Sequence, residues 1–482
     1  MKPIMFVGTG SDVGKSIITT GICRILKQDG YTPAPFKAQN MSLNSFVTPD
    51  GLELGRAQAV QAEACGLDCQ SNMNPVLLKP TSEKSSQIIL HGKPIGNQDA
   101  RDYFLGNNKE NLFEEAKQAF DALSAKYIPI VMEGAGSISE LNLKHRDIVN
   151  MRMAQHANAC VYLVADIDKG GVFGSVYGTI ALLEDWERKL IKGIIVNKFR
   201  GDITLFADGR RQLEELTGVP VIGVVPFAKD IYIEEEDSVG LNQKNATTVQ
   251  DKINVAVILL PHISNYTDFN LLERDERVNL FYTSNPEEVA KAEIILLPGT
   301  KNTISDLKHI RANGLATAIL KGFDAGKKVI GICGGYQMMG EEVSDPFGVE
   351  GNVAVMPGLG ILPVKTTLEE VKVTVQREFL FKNYDATCSG YEIHMGITTS
   401  DHTNSVLKLK DGDQGCLLNE TCWGTYMHGI LDNQVVIDDI LGGYASTEKM
   451  SYQAFKDQNY DKLADHLRAC LDIDQIYTQI NL

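Results

Sequence analysis

The stretch Gly8-Thr9-Gly10-Ser11-Asp12-Val13-Gly14-Lys15-Ser16 decides how the chain is read. It stands between a short apolar run, Ile4–Val7, and a segment in which Ile18, Ile22, Ile25 and Leu26 share one helical face up to Gly30. A strand, a glycine-rich turn and a helix in that order form a phosphate-binding loop, because glycines let backbone N–H groups converge on phosphate oxygens at a helix N-terminus. In this reading Gly10, Asp12 and Gly14 shape an ATP-binding loop, Lys15 supplies charge to the β- and γ-phosphates, and Ser16 offers a hydroxyl to Mg²⁺. The spacing departs from G-x-x-x-x-G-K-[ST]: Thr9 takes the first glycine's place and Gly8 comes one residue early. The strand-loop-helix context, not the pattern alone, carries the assignment.

Working outward, apolar runs continue to alternate with helical patterns. Ile128–Met132, Cys160–Val164, Gly193–Val196 and Val221–Val225 are the further strands of an α/β domain with a doubly wound, mostly parallel sheet. From Glu234 to Lys252 the pattern lapses into an acidic run, Glu234 to Asp237, and a polar one, Asn242 to Thr248, which reads as a linker. A second α/β series follows with Ile253–Leu260, Ile294–Leu297, Val329–Ile332 and a strand near Trp423–Met427. The expected organisation is a first domain over 1–235, a linker over 236–252, and a second domain over 253–482 that includes a helical extension. In that extension Leu463, Leu467 and Leu471 are spaced to pack on the second domain.

Composition sets the outer limits. A chain of 482 residues calls for about two to four domains. With 46 Lys+Arg against 62 Asp+Glu, the net charge of −16 argues against nucleic acid as a partner. No apolar run approaches the roughly 20 residues of a membrane span, and the N-terminus shows no signal region, so a cytoplasmic protein is expected. Nine scattered cysteines suit a reducing compartment, and Cys65 and Cys69 lack the second pair that a zinc tetrahedron needs. His145-Arg146-Asp147 resembles a kinase catalytic-loop fragment by chance: Arg152 stands where that motif requires Asn.

Carboxylates at strand ends complete the first site. Glu133 follows Ile128–Met132 and Asp166 ends Cys160–Val164, so both fall at the carboxyl edge of the sheet, where α/β ligands and their Mg²⁺ are held. A second site appears at Gly331-Ile332-Cys333-Gly334-Gly335, a G-x-C-x-G turn between a strand and a helix. Small neighbours permit the sharp turn, and the helix N-terminus favours a thiolate and stabilises an oxyanion. His428, after Trp423–Met427, is the candidate base, with His394 as the competing histidine.

The loop from Gly8 to Ser16 resembles that of dethiobiotin-synthetase-like P-loop proteins, which transfer the γ-phosphate of ATP to a carboxylate. Phe36 to Ser42, Asp147 to Met151, Ala165 to Phe173 and Asn197 to Asp202 resemble the cobyric acid synthase family, as do Pro298 to Thr303 and Gly390 to His394 in its class I, triad-type glutamine amidotransferase domain. The resemblance spans nearly the whole chain. It implies that Lys37 assists the phosphates, that Gln39, Asn40 and Ser42 lie near a corrinoid substrate, and that Asn197 lies near the adenine. It further implies an oxyanion hole involving Gly299 and Gly334. The usual class I acid two residues after the histidine is replaced by Ile430, so the resemblance implies a Cys333–His428 dyad with its orienting group unassigned.

The chemistry explains why two sites share one chain. A carboxylate resists attack by ammonia until it becomes an acyl phosphate, and free ammonia is mostly protonated at neutral pH. The activity that the resemblance implies is amidation of the b, d, e and g carboxylates of adenosylcobyrinic acid a,c-diamide, with glutamine as nitrogen source and ATP and Mg²⁺ as cofactors. Two alternatives stand beside it: a cobyrinic acid a,c-diamide synthase, and a P-loop partitioning or scaffolding ATPase with an inactive amidotransferase-like module.

Overall fold

The computed structural model describes residues 1–81, 85–99, 108–234, 246–351, 353–401, 404–442 and 451–481. Two parallel sheets organise it. In the first, the strand order is Val221–Pro226, Ile191–Phe199, Cys160–Asp166, Ile4–Gly8, Ile130–Glu133 and Ala34–Phe36, all parallel. These strands are apolar almost throughout because helices cover both faces. The chain leaves Ile4–Gly8 toward one edge and later returns to fill the opposite side, so the loop after that strand lies at the switch point of the sheet.

The second sheet has five parallel strands, Val278–Thr283, Ile253–Ile258, Ile294–Leu297, Lys328–Ile332 and Cys422–Thr425, with Cys416–Asn419 added antiparallel at the edge. Two additions escape the apolar pattern. One is a four-stranded sheet of Gln39–Met41, Val76–Pro80, Ser85–Leu90 and Lys93–Asp99 in the first domain. The other is a long antiparallel hairpin, Lys365–Phe381 with Thr387–Thr399, in the second. The hairpin reaches the first domain, where Gln376 Nε2 donates to Val47 O at 2.7 Å.

Three sequence expectations need comment. The apolar face of the C-terminal helix Tyr452–Cys470, with Leu463 and Leu467, packs on the first domain and not the second, which reaches the helix through Arg274 over Phe455 at 4.2 Å. Leu463 and Leu467 sit on Gly21 of the phosphate-loop helix Lys15–Gln28; a Cβ on Gly21 would stand 2.3 Å from Leu467 Cδ1. Leu471 bridges to Gly223, and Arg24 pairs with Asp461 at 2.7 Å. Periodicity gave the helix its apolar face but carried no information about the partner. Glu234, read from the sequence as the start of an acidic run without helical or strand pattern, is buried against Arg56 at 2.6 Å and accepts from Tyr452 Oη at 2.7 Å. Burial opposes its charge, yet Arg56 and Lys456 hold the carboxyl down to about 2. Residues 236–245 of the expected linker lie outside the described residues, and Val249 already rests on Asn254 of the second domain. All nine cysteines are free thiols, Cys65 and Cys69 among the buried ones.

Leu467→Ala is expected to destabilise the protein by about 2–5 kcal/mol, the usual cost of emptying a buried leucine site. Denaturant titration checks this; an unchanged midpoint would show that the C-terminal helix is not integral to the first domain.

Candidate active sites

At the first site, the tight turn after Ile4–Gly8 brings the predicted residues together. A Cβ on Gly8 would lie 2.7 Å from Gly10 O and 2.9 Å from Lys15 Nζ, so the loop closes only over glycine. Lys15 Nζ folds back on Gly10 O at 3.0 Å and Gly136 O at 3.2 Å. Ser16 Oγ donates to Glu133 Oε1 at 2.9 Å, Lys37 Nζ reaches the same oxygen at 2.9 Å, and Gln61 Nε2 donates to Oε2 at 2.6 Å. Burial opposes ionisation of Glu133, but Lys37, Gln61 and Lys15 outweigh it and hold the carboxyl below its usual range.

This donor set fits ATP with Mg²⁺. The small cation takes one or two carboxylates and keeps its other places for phosphate oxygens and water, and here a hydroxyl and a carboxylate stand side by side below the loop. Among the described residues no cluster of three or more His, Cys, Asp or Glu forms an all-protein metal cage. Asp166 stands on the other flank of the loop, ion-paired with Lys198 at 3.0 Å and accepting Asp168 N at 2.8 Å. Asn197 Nδ2 donates to Val13 O at 2.9 Å and presses on Gly14, whose φ is +93°. Asp12 has a φ of 57°, and its carbonyl accepts from Lys198. In the run after Lys37, Asn40 and Ser42 are buried: Asn40 donates to Gln58 Oε1 at 3.1 Å, and Ser42 Oγ accepts Asn44 N at 3.0 Å. Gln39 and the exposed Met41 form the outer edge of this run.

At the second site, Cys333 sits in the turn between Lys328–Ile332 and Gly334–Met339 with φ 52° and ψ −109°. A non-glycine residue there costs about 1–3 kcal/mol, and tight packing holds it. A Cβ on Gly335 would stand 2.0 Å from Leu297 O, and one on Gly331 2.8 Å from Gly335 C. The Cys333 thiol donates to Ile393 O at 3.6 Å. His428 lines the same cavity as Cys333, and its Nδ1 lies 2.7 Å from Asp268 Oδ2. Asp268 Oδ1 accepts Gly429 N at 2.9 Å, which fixes the carboxylate.

Asp268 is the orienting group that the sequence left unassigned. It comes from the short turn Tyr266–Phe269 beyond Ile253–Ile258, 160 residues ahead of the histidine, so no local pattern around His428 points to it. The polar run Ser264-Asn265 to Thr267-Asp268 at a strand's carboxyl edge is the signal that could have found it. Burial works against a charged His428, but Asp268 above all, with Cys333 beside it, raises its pKa to about 10. His394, the competing histidine, is engaged otherwise: Nε2 lies 2.9 Å from Glu392 and Nδ1 2.8 Å from Gly396 O. Gly299 and Gly334 both reach the site, a Cβ on Gly299 falling 3.1 Å from His428 Cε1 and one on Gly334 2.9 Å from Thr300 N.

The two domains meet over this site. A cavity of about 570 Å³ is lined by Cys333, His428 and Lys301 from the second domain and by Lys79 and Gln87 from the first. That volume is typical of a small-molecule site.

Comparison with known proteins agrees with both halves. Residues 4–239 match the CobQ/CobB/MinD/ParA nucleotide binding domain, and residues 254–436 match the CobB/CobQ-like glutamine amidotransferase domain. Cobyric acid synthase of Parabacteroides distasonis is 59% identical, covering 100% of this chain and 99% of that protein. Those of Phocaeicola vulgatus and Bacteroides fragilis are 56% and 59% identical, each covering 99% of this chain and 98% of the relative.

Asp268→Asn should lower glutamine hydrolysis by about 10²- to 10⁴-fold while ammonium-driven synthesis persists, since the imidazole loses its orientation and its counter-charge. The pH at which His428 titrates should also fall toward an ordinary imidazole. In the native protein, His428 holds its proton more tightly folded than unfolded. The stability it contributes is therefore full below about pH 6.5 and fades as the pH rises toward 10. Equal activity and an unmoved pH profile in the variant would remove Asp268 from the site.

Proposed function

The chain belongs to the cobyric acid synthase family, and on that premise we propose that it amidates the b, d, e and g carboxylates of adenosylcobyrinic acid a,c-diamide using ATP, Mg²⁺ and glutamine. The observation that carries this reading is the pairing, in one chain, of the Ser16–Glu133–Lys37 constellation with the Cys333–His428–Asp268 triad. A complete triad also disfavours a scaffolding ATPase with an inactive module.

In the first domain Lys15 and Lys37 supply positive charge for the phosphates, and Ser16 with Glu133 would hold Mg²⁺. Asp166 and Asn197 flank the same loop and complete the nucleotide side of the proposal. ATP supplies the phosphoryl group: a substrate carboxylate oxygen attacks the γ-phosphorus, ADP leaves, and an acyl phosphate forms. Gln39 is the candidate corrinoid contact, with Asn40 and Ser42 shaping the turn that presents it. In the second domain the Cys333 thiolate attacks the glutamine carboxamide carbon, His428 protonates the departing nitrogen, and ammonia leaves. Gly299 and Gly334 would supply N–H donors to the tetrahedral oxyanion. Water activated by His428 then cleaves the thioester to glutamate. Ammonia attacks the acyl phosphate carbon, and inorganic phosphate departs.

No described helix is long and apolar enough to cross a membrane, and the cysteines are free thiols; we read the enzyme as cytoplasmic.

Cys333→Ser should abolish glutamine-supported synthesis and spare synthesis from concentrated ammonium salt, whereas Lys15→Ala should remove both. Mass analysis of corrinoid products with either nitrogen source checks the pair of outcomes. Equal loss from both donors in Cys333→Ser would end the division of labour, and fewer than four amidations at completion would favour the a,c-diamide synthase.

A further inference from the structure

The cavity over Cys333 is unusually rich in ammonium groups: Lys79, Lys301 and Lys372 all line it. Two of these are engaged. Lys79 Nζ donates to Glu53 Oε1 at 2.7 Å and Ser45 Oγ at 2.9 Å, and Lys372 donates to Glu53 Oε2. The Lys301 ammonium has no hydrogen-bond or ion-pair partner among the described residues.

Its neighbours in the same turn are all used in building the loop. Thr300 Oγ1 donates to Asp306 at 2.6 Å, Asn302 Oδ1 accepts Ser305 N at 3.0 Å, and Thr303 Oγ1 donates to Gln337 Oε1 at 2.8 Å. Lys301's own backbone N–H is tied to His262 O at 2.9 Å. A fixed backbone thus presents one unengaged cation to a cavity that also holds the nucleophile. Burial and Lys79 push its pKa down to about 8, while Glu53, Glu350 and Cys333 pull the other way. Such a site is relieved by an anionic ligand group.

Glu350 lines the same cavity. One of its oxygens accepts Ile304 N at 2.8 Å, and burial raises its pKa although Lys301 opposes the shift. A cation placed beside Glu350 would compensate that burial. A free α-amino acid carries both complementary charges on one carbon, a short aliphatic chain away from its carboxamide.

We propose that Lys301 and Glu350 form the head-group clamp of the glutamine site, Lys301 binding the α-carboxylate and Glu350 the α-ammonium, so that the site takes free glutamine and rejects amides lacking either charge. This rests on the glutaminase reading of Cys333 and His428. The clamp acts on binding alone; the bond-breaking steps belong to the triad.

The test uses the full chain with ATP, Mg²⁺ and corrinoid acceptor present, and compares L-glutamine with 4-aminobutanamide, which lacks the α-carboxylate, and 4-carbamoylbutanoate, which lacks the α-amine. For Lys301→Met, KM for glutamine should rise about tenfold to a hundredfold with little change in kcat, and the preference for glutamine over 4-aminobutanamide should collapse. Lys301→Arg should restore part of that preference. Glu350→Gln is the independent arm: its preference for glutamine over 4-carbamoylbutanoate should collapse instead. Synthesis from ammonium salt reports that each variant is folded. Wild-type discrimination among the three amides in both variants would overturn the clamp. Absence of glutamate formation by the wild-type chain would instead overturn the glutaminase reading, and the clamp with it.

Discussion

A buried carboxylate ties the two domains together. Glu53 is wholly inaccessible and receives Lys79 from its own domain and Lys372 from the hairpin of the other. Burial opposes its charge, yet the two ammoniums hold the carboxyl far below the usual range, and Lys372 is itself pushed down by burial to about 7. Removing one member of such a cluster leaves an uncompensated buried charge, typically a loss of about 3–5 kcal/mol. The joint continues into the catalytic machinery. Ser45 N donates to Asn265 Oδ1 at 3.0 Å, just ahead of Asp268, and Tyr391 Oη reaches Ser45 O at 3.4 Å while its ring stacks on His428 at 5.5 Å. The first domain therefore packs on the residues that position the glutaminase histidine.

Much of this was readable from the chain. The parallel strands announced themselves as continuous apolar runs because both faces of each sheet are covered, and the two strand-to-helix turns showed in their glycines. Lys15, Ser16 and Glu133 converge as the loop and strand-end positions implied. What escaped has a common physical origin. Asp268 acts on His428 across the fold, and the C-terminal helix chooses its partner through Gly21, a small residue whose role appears only when Leu467 lies on it. The hairpin around Tyr391 carries mixed polar residues, and part of it faces the first domain, Gln376 on Val47 and Tyr391 on Ser45. Glu234 looked like part of a patternless acidic run because its partner Arg56 is far away in sequence.

The chemistry joins these features. An acyl phosphate is vulnerable to water and ammonia to protonation, so a chain that makes both gains by generating them under one roof. The cavity between the domains has Cys333 and His428 on one wall and residues of the first domain on the other. The central claim is that the amide of glutamine supplies the nitrogen of the new corrinoid amides. The direct measurement is turnover with amide-¹⁵N-labelled glutamine in the presence of unlabelled ammonium at a concentration that does not by itself support synthesis, followed by mass analysis of the product. Nearly full ¹⁵N in every new amide is the predicted result; dilution of the label to the isotopic composition of the solvent ammonia would contradict the account.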